Sequence, residues 1–136
     1  MEVETLKKKD IDRYINFIYE IFGFKSNKES IEKMIKKNKV LIIKDNEEVV
    51  ASVTLEERYE YIKCQKYYYI SYLGVKKNYR RKGYASKLFE RLEELVKENE
   101  INYLELTSGN QRRVAHYFYK DKNFKIKDTM VFVKFY

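Results

Sequence analysis

The chain has little of several residue types, and each shortage excludes a class of protein. Its 136 residues include no proline, no tryptophan, one cysteine and one histidine. A lone cysteine, Cys64, cannot form an internal disulfide, which excludes a disulfide-stabilised secreted scaffold and favours a reducing compartment. The apolar runs are a few residues long, whereas a helix that spans a bilayer needs about 20 apolar residues. The acidic residues 1–4 are unlike a signal peptide. We therefore expect a cytoplasmic protein with no membrane partner.

Linkers and repeats are also missing, which bears on the domain organisation. No segment is rich in glycine and serine or of low complexity, so no domain boundary is visible. A chain of 136 residues with 44% hydrophobic content is long enough to bury one core and too short for two ordinary ones. We expect a single domain over residues 1–136.

Positive charge is what the chain has in excess. Lysine and arginine number 29 against 21 aspartate and glutamate, a formal net charge of +8. This favours an anionic partner such as nucleic acid, a membrane surface or a phosphorylated cofactor. Most of the excess is lysine scattered among other polar residues, as at residues 7–9 and 36–37, and a solvated surface of this kind needs no partner. A nucleic-acid partner is the less favoured interpretation because no binding-module signature is present. No cysteine, histidine and carboxylate cluster has metal-ligand spacing, so we expect no metal site.

Hydrophobic periodicity predicts the element order βααβββαβαββ. The predicted strands cover residues 2–6, 40–43, 49–55, 67–75, 103–106, 124–126 and 130–135. The predicted helices run from Asp10 to Gly23, onwards from Ser26 or Asn27, from Gly83 to Asn99, and from Asn110 to Lys122. The strand–helix–strand pattern over residues 67–106 implies a parallel pair with a right-handed crossover. The fold class is therefore α/β, with a mixed, mostly antiparallel sheet of six to seven strands and about four flanking helices. The last two strands would form a hairpin around Lys127 and Asp128.

The loop after the long fourth strand is the most informative segment. Residues 80–82 are Arg-Arg-Lys, and Gly83 follows where the third helix begins. The first N–H groups of a helix have no intrahelical partner and lie at the positive end of its dipole, so they favour a phosphate. Gly83 lets a phosphate approach the backbone, the small Ala85 leaves room for a bulky cofactor, and Ser86 offers a hydroxyl. The nucleotide motifs G-x-x-x-x-G-K-[ST] and G-x-G-x-x-G are absent.

Two segments resemble the GCN5-related N-acetyltransferase (GNAT) family. Residues 75–85, VKKNYRRKGYA, are similar to the family's cofactor loop [QR]-x-x-G-x-[GA] at Arg80, Gly83 and Ala85, between an aromatic–aliphatic strand and an amphipathic helix. Residues 104–109, LELTSG, and residues 112–119, RRVAHYFY, resemble the family's late strand and helix. The predicted element order matches that of the family over essentially the whole chain.

This resemblance implies an activity, a cofactor and a layout of the site. The expected activity is that of an acetyl-CoA-dependent N-acetyltransferase, which moves an acetyl group directly to a primary amine in a ternary complex. Parallel strands are expected to splay between Val75 and Leu106, with the pantetheine arm in the gap and the pyrophosphate on the amides of residues 81–85. The acetyl carbonyl would be polarised by a backbone N–H of residues 73–75. The loop and the resemblance together give as cofactor-binding candidates Leu73, Gly74, Val75, Arg80, Arg81, Lys82, Gly83, Tyr84, Ala85, Ser86, Asn110 and Arg112.

The resemblance also implies one catalytic residue. Tyr119 stands where relatives carry the tyrosine that protonates the leaving thiolate, and a phenol with a pKa of about 10 keeps its proton at neutral pH. Either Asn110 or Arg112 would take the place of an asparagine that bonds the pantetheine in many relatives. His116 is expected to have a structural role on its helix.

The base that activates the amine is left open. Ser71 stands where relatives often carry a glutamate, and a serine cannot act as a carboxylate does. The alternatives are Glu57, Glu60 or Glu105, a water chain, or an amine that arrives deprotonated.

Two other functions remain as alternatives. One is a catalytically degenerate GNAT-like protein that binds acyl-CoA, and the less favoured one is a basic nucleic-acid-binding domain. The acceptor, a small-molecule or peptide amine, has no readable signature because a fold does not determine a substrate. A homodimer is compatible with the sequence.

Overall fold

A computed structural model describes residues 1–136, which divide into two units, Met1–Leu106 and Thr107–Tyr136. The first unit contains β1 (Val3–Thr5), α1 (Ile11–Phe22), α2 (Lys28–Lys37), β2 (Lys39–Asp45), β3 (Glu48–Glu60), β4 (Gln65–Val75), α3 (Tyr84–Glu98) and β5 (Tyr103–Glu105). Short 3-10 turns lie at Lys8–Asp10 and Lys77–Tyr79. The second unit contains α4 (Arg113–Asp121). None of the four helices combines the length and the apolar composition that a bilayer crossing requires.

The first unit is built on one mixed sheet with the strand order β1-β2-β3-β4-β5. Its first four strands pair antiparallel, and β5 pairs parallel to β4, as the strand–helix–strand pattern predicts. Tyr14 of α1 contacts Thr54 of β3. Asn99, at the end of α3, donates to the hydroxyl of Tyr68, which lies opposite Glu57. Because residues 54 and 57 of one strand point to opposite faces, α1 and α3 cover opposite faces of the sheet.

Apolar stripes at helical spacing explain where the core lies. Each of α1 and α3 buries one face against the sheet and exposes the other. The buried residues of these two stripes are Ile11, Tyr14, Phe17, Ile18, Leu88, Phe89, Leu92 and Leu95. Residues 49–55 of β3 are buried without interruption, since helices cover this strand on both sides.

Three helix ends lie at residues that the sequence predicts. The side chain of Asn27 accepts a hydrogen bond from the amide of Ser30 at 2.8 Å and so caps α2. Gly23 ends α1 in the left-handed conformation, with φ of 78°. Asn99 is the residue that follows α3.

Asp10 is a correction to the prediction. It precedes α1 as expected, but its side chain makes no capping hydrogen bond. Its buried carboxylate lies 3.3 Å from Nζ of Lys44 and 3.3 Å from the guanidinium of Arg13. A carboxylate removed from water requires a cation, and this requirement outweighs the local preference for a cap.

The C-terminal hairpin is the second correction. Residues 122–136 contain no assigned helix or strand, so the sheet has five strands instead of six to seven. The expected turn at Lys127 and Asp128 has no glycine or asparagine, which are the residues that two-residue hairpin turns favour. Helix α4 also begins later than predicted, because Arg112 has non-helical φ and ψ of −84° and 64°.

Replacing the cap of α2 should lower the stability of the protein. We expect Asn27→Ala to reduce the free energy of unfolding by about 1 kcal/mol, because the amide of Ser30 loses its acceptor. Urea unfolding followed by circular dichroism measures this change. Ser30→Ala is the matched control, since it keeps the backbone amide, and equal losses in the two variants would contradict the capping role.

Candidate active site

A β-bulge interrupts β4 shortly before its end. Regular pairing with β3 reaches Ser71 opposite Thr54 and resumes at Gly74 opposite Ser52, so β4 has one extra residue between these points. Tyr72, inside the bulge, has a left-handed φ of 50°. A bulge bends its strand and changes the direction of the next backbone groups. The bulge therefore sets the direction of the strand end, residues 73–75, where the sequence predicts contacts with the pantetheine.

The two parallel strands separate next to this bulge. β5 pairs with β4 only where residues 103–105 meet residues 67–69, whereas β4 continues to Val75. On the side away from β3, the end of β4 therefore lacks a neighbouring strand from β5. This separation agrees with the predicted splay of the parallel strands.

Gly74 permits a close approach between α1 and the end of β4. A Cβ atom at this position would lie 3.0 Å from Cγ2 of Ile21 and 3.1 Å from Cζ of Phe22. The Phe22 ring also meets the Tyr72 ring edge to face, with 5.2 Å between their centroids. The last turn of α1 thus packs directly on the bulge.

The loop from β4 to α3 is tied to its surroundings at both ends. The amide of Lys76 donates to the carbonyl of Val50 at 2.8 Å, and the ammonium of Lys76 lies 3.2 Å from Glu48 and 3.5 Å from Glu20. Further along, Nε of Arg80 donates to the carbonyl of Val75 at 2.9 Å. Arg80, a predicted cofactor-binding residue, therefore also braces the loop against the end of β4.

The start of α3 presents backbone amides that the helix itself does not use. The first hydrogen bond of the helix runs from the amide of Lys87 to the carbonyl of Gly83 at 3.0 Å, so the amides of residues 84–86 lie ahead of it. Gly83 has φ of 87°, a conformation that a Cβ atom disfavours. Around it the space is open, because a Cβ at Gly83 would have no atom within 4 Å.

The charge at this helix start fits an anionic group. Arg81, with φ of 62°, and Lys82 are both exposed, and neither takes part in an ion pair with a carboxylate of the chain. Two exposed cations thus precede a helix start where the dipole is positive and three amides are unused. This combination of positive charge and unused amides suits a diphosphate such as that of coenzyme A. Ala85 and Ser86 are half-buried in the first turn.

The second unit holds the predicted catalytic tyrosine. The Tyr119 ring meets those of Phe118 and Phe124 at centroid distances of 5.8 and 5.6 Å. Burial raises the pKa of Tyr119 above its usual 10, and the nearby Arg112 cation opposes this rise. The phenol is therefore protonated at neutral pH and can donate a proton.

His116 is engaged in a local hydrogen bond. Its Nε2 lies 2.9 Å from the carbonyl oxygen of Gly109, and because a carbonyl only accepts, Nε2 must carry the proton. The bond joins α4 to the turn before it. Both Asn110 and Arg112 are exposed in that turn.

The candidate bases have different surroundings. Ser71 is half-buried opposite Thr54. Glu60 accepts hydrogen bonds from the amides of Ile62 and Lys63 at 3.3 and 2.8 Å, which gives it a structural role in the β3–β4 turn. The alternative that Glu60 acts as the base is therefore weakened.

Comparison with known proteins gives one family. The model of the acetyltransferase (GNAT) family matches residues 9–124. Among curated proteins, no sequence matches this chain.

Solved structures of low sequence identity share the fold. The ribosomal-protein-alanine N-acetyltransferase of Brucella melitensis biovar Abortus 2308 aligns with a TM-score of 0.82 at 14% identity, over 100% of both chains. The aminoglycoside antibiotic 6'-N-acetyltransferase of Acinetobacter baumannii gives 0.83 at 15% identity, over 99% of this chain and 97% of that chain. A transcriptional regulator of Bacillus halodurans C-125 gives 0.86 at 18% identity, over 98% of this chain and 99% of that chain.

The close packing at Gly74 can be tested by adding a methyl group. We expect Gly74→Ala to lower the free energy of unfolding by about 1–3 kcal/mol, because Ile21 and Phe22 would have to move. Gly109→Ala is the control, since its Cβ would meet only the flexible end of Gln111, at 3.3 Å. Denaturant unfolding that shows equal stability for the two variants would argue against a tight contact between α1 and β4.

Proposed function

Since this chain belongs to the acetyltransferase (GNAT) family, we propose that it transfers an acetyl group from acetyl-CoA to a primary amine in a ternary complex. The observation that carries the proposal is the start of α3, where the unused amides lie beside exposed cations that no carboxylate neutralises. Bound acetyl-CoA would supply the acetyl group as a thioester. Residues of this chain would bind the cofactor, polarise its acetyl carbonyl and supply the proton for the departing sulfur.

We assign the diphosphate to the loop and the first turn of α3. Amides of residues 81–85 would hold its oxygens, and the exposed side chains of Arg81 and Lys82 would add charge, while the Ser86 hydroxyl would be a further donor. Arg80 would contribute the guanidinium nitrogens that its bond to Val75 leaves free. Tyr84 and Ala85 would lie against the cofactor through the first turn of the helix.

We assign the pantetheine arm to the end of β4. The bulge at Tyr72 and the separation of β5 from β4 support this assignment, because beside Leu73, Gly74 and Val75 the strand β4 pairs with β3 alone and its other edge has no strand from β5. An N–H among these residues would polarise the acetyl carbonyl. As the family resemblance implies, either Asn110 or Arg112 would bond the arm.

We assign the proton for the departing sulfur to Tyr119. Its raised pKa keeps Oη protonated at neutral pH, so it can give its proton as the carbon–sulfur bond breaks. Among the alternatives for the base, we propose that the amine reacts in its deprotonated form, which needs no carboxylate at Ser71. The proton that its nitrogen loses as the amide forms would pass to water, and the rate would rise with pH towards the pKa of the acceptor.

The acceptor is proposed to be a small-molecule or peptide amine. Proteins of the same fold include a ribosomal-protein-alanine N-acetyltransferase and aminoglycoside N-acetyltransferases, so both types of acceptor suit this scaffold. A panel of amines assayed for thiol release from acetyl-CoA distinguishes them. Cofactor binding without release for any amine would favour the alternative of a catalytically degenerate acyl-CoA-binding protein.

Calorimetry with coenzyme A tests the proposed cofactor site. We expect Gly83→Glu to weaken binding at least about tenfold, because a side chain and a negative charge would occupy the anion position. Gly23→Glu is the matched control, since Gly23 also has a positive φ, 78°, and a Cβ atom there would likewise have no neighbour within 4 Å. Equal affinities of the two variants, or no binding by the wild type, would contradict the proposal.

Kinetics of Tyr119→Phe test the proposed proton donor. We expect kcat to fall about 100-fold, the usual loss for a general acid, with the affinity for acetyl-CoA unchanged. Tyr117→Phe, at an exposed position of the same helix, should keep the wild-type rate.

In the wild type, activity should decline only above pH 10, because the pKa of Tyr119 is raised. A decline already below pH 9, or an unchanged rate in Tyr119→Phe, would remove this residue from the mechanism.

A further inference from the structure

A short hydrogen bond connects the proposed diphosphate loop to a distant turn of the sheet. The hydroxyl of Tyr79, in the 3-10 turn before Arg80, donates to a carboxylate oxygen of Asp45 at 2.6 Å. Asp45 is the last residue of β2, and the tight turn after it holds Asn46 and Glu47 at φ of 50° and 67°. The carboxylate is therefore presented from a tight turn between two paired strands, 34 residues away in sequence.

The same tyrosine contacts the start of α3. Its ring meets the ring of Tyr84 edge to face, with 5.5 Å between the centroids and an angle of 89° between the planes. Tyr84 is the first residue of the helix, and its amide is one of those ahead of the helical hydrogen bonds. Tyr79 thus joins the sheet on one side to the proposed anion site on the other.

A second contact holds the loop to the same turn. Lys76 lies 3.2 Å from Glu48, which pairs with Asp45 across the β2–β3 turn. Glu20 of α1 contacts the same ammonium at 3.5 Å. The turn therefore restrains the loop at residues 76 and 79, immediately before the basic residues 80–82.

We propose that Tyr79 is a positioning residue for the diphosphate site, with Asp45 fixing its side chain so that the loop and the first amides of α3 are already aligned before the cofactor binds. The inference rests on the proposed function. If the loop is already aligned, it does not have to be ordered when the cofactor binds. The affinity for the cofactor is then higher, because ordering a loop on binding opposes association. Tyr79 itself need not touch the cofactor.

The Tyr79 hydroxyl keeps its proton at neutral pH, which its hydrogen bond to Asp45 requires. The Asp45 carboxylate, together with partial burial, raises the pKa of Tyr79 to about 12, and Tyr84 and Glu48 act in the same direction. Because this pKa lies above that of a free tyrosine, the stabilisation is present below pH 10 and is lost as pH rises through 12. The donor is therefore intact over the whole neutral range.

Tyr79→Phe tests the inference, because it removes the hydroxyl and keeps the ring that packs on Tyr84. We expect the dissociation constant for coenzyme A to increase about tenfold, with kcat at saturating acetyl-CoA within about twofold of the wild type. Activity with acetyl-pantetheine, which lacks the diphosphate, should not change. Tyr61→Phe, in the exposed β3–β4 turn, is the control and should match the wild type in every measurement.

A double-mutant cycle with Asp45→Ala separates positioning from general stability. If the two side chains act as one unit, Tyr79→Phe should have little further effect on affinity in the Asp45→Ala background. Additive losses, or a parallel loss of activity with acetyl-pantetheine, would overturn the positioning role. Coenzyme A binding that is equal in the wild type and Tyr79→Phe would overturn the inference alone. Absence of binding in the wild type would overturn the proposed function and the inference with it.

Discussion

An α-helix cannot satisfy the amides of its own first turn, and the function proposed for this protein depends on that constraint. At the start of α3 these amides lie behind Gly83, in open space and beside two exposed cations. The rest of the first unit holds this helix start in place. β3, whose residues 49–55 are buried, carries β4 on one side, and the bulge in β4 directs the chain into the loop. The loop is then tied back to the sheet before the helix begins.

Those elements of the fold that follow from local spacing are predicted by the sequence. The positions of α1 and α3 along the chain, the helix ends at Gly23 and Asn99, and the parallel pairing of β4 and β5 all agree with the structure. Asp10 departs from its prediction because its cation partner, Lys44, is distant in sequence. The C-terminal hairpin departs as well, since pairing of two short strands depends on a turn that this chain does not favour.

The candidate site, like the fold, is predicted only in part by the sequence. Arg80, Gly83 and Ala85 are recognisable because a strand, a basic loop and a helix follow one another along the chain. The sequence does not predict the bulge at Tyr72, because a left-handed φ is usually indicated by a glycine and this residue is a tyrosine. The bond between Tyr79 and Asp45 is likewise invisible in the sequence, because it joins two turns that only the folded sheet brings together. A resemblance to a family motif thus indicates where an anion binds, while the contacts that hold the motif in shape come from the structure.

Amide chemical shifts test the central claim most directly. In a ¹H–¹⁵N spectrum of the labelled protein, addition of coenzyme A should move the amide resonances of residues 81–85 downfield, because these amides would donate to phosphate oxygens. Exposed amides of the β3–β4 turn, such as that of Tyr61, should stay in place. Saturating coenzyme A that shifts resonances elsewhere and leaves those of residues 81–85 unchanged would contradict the account.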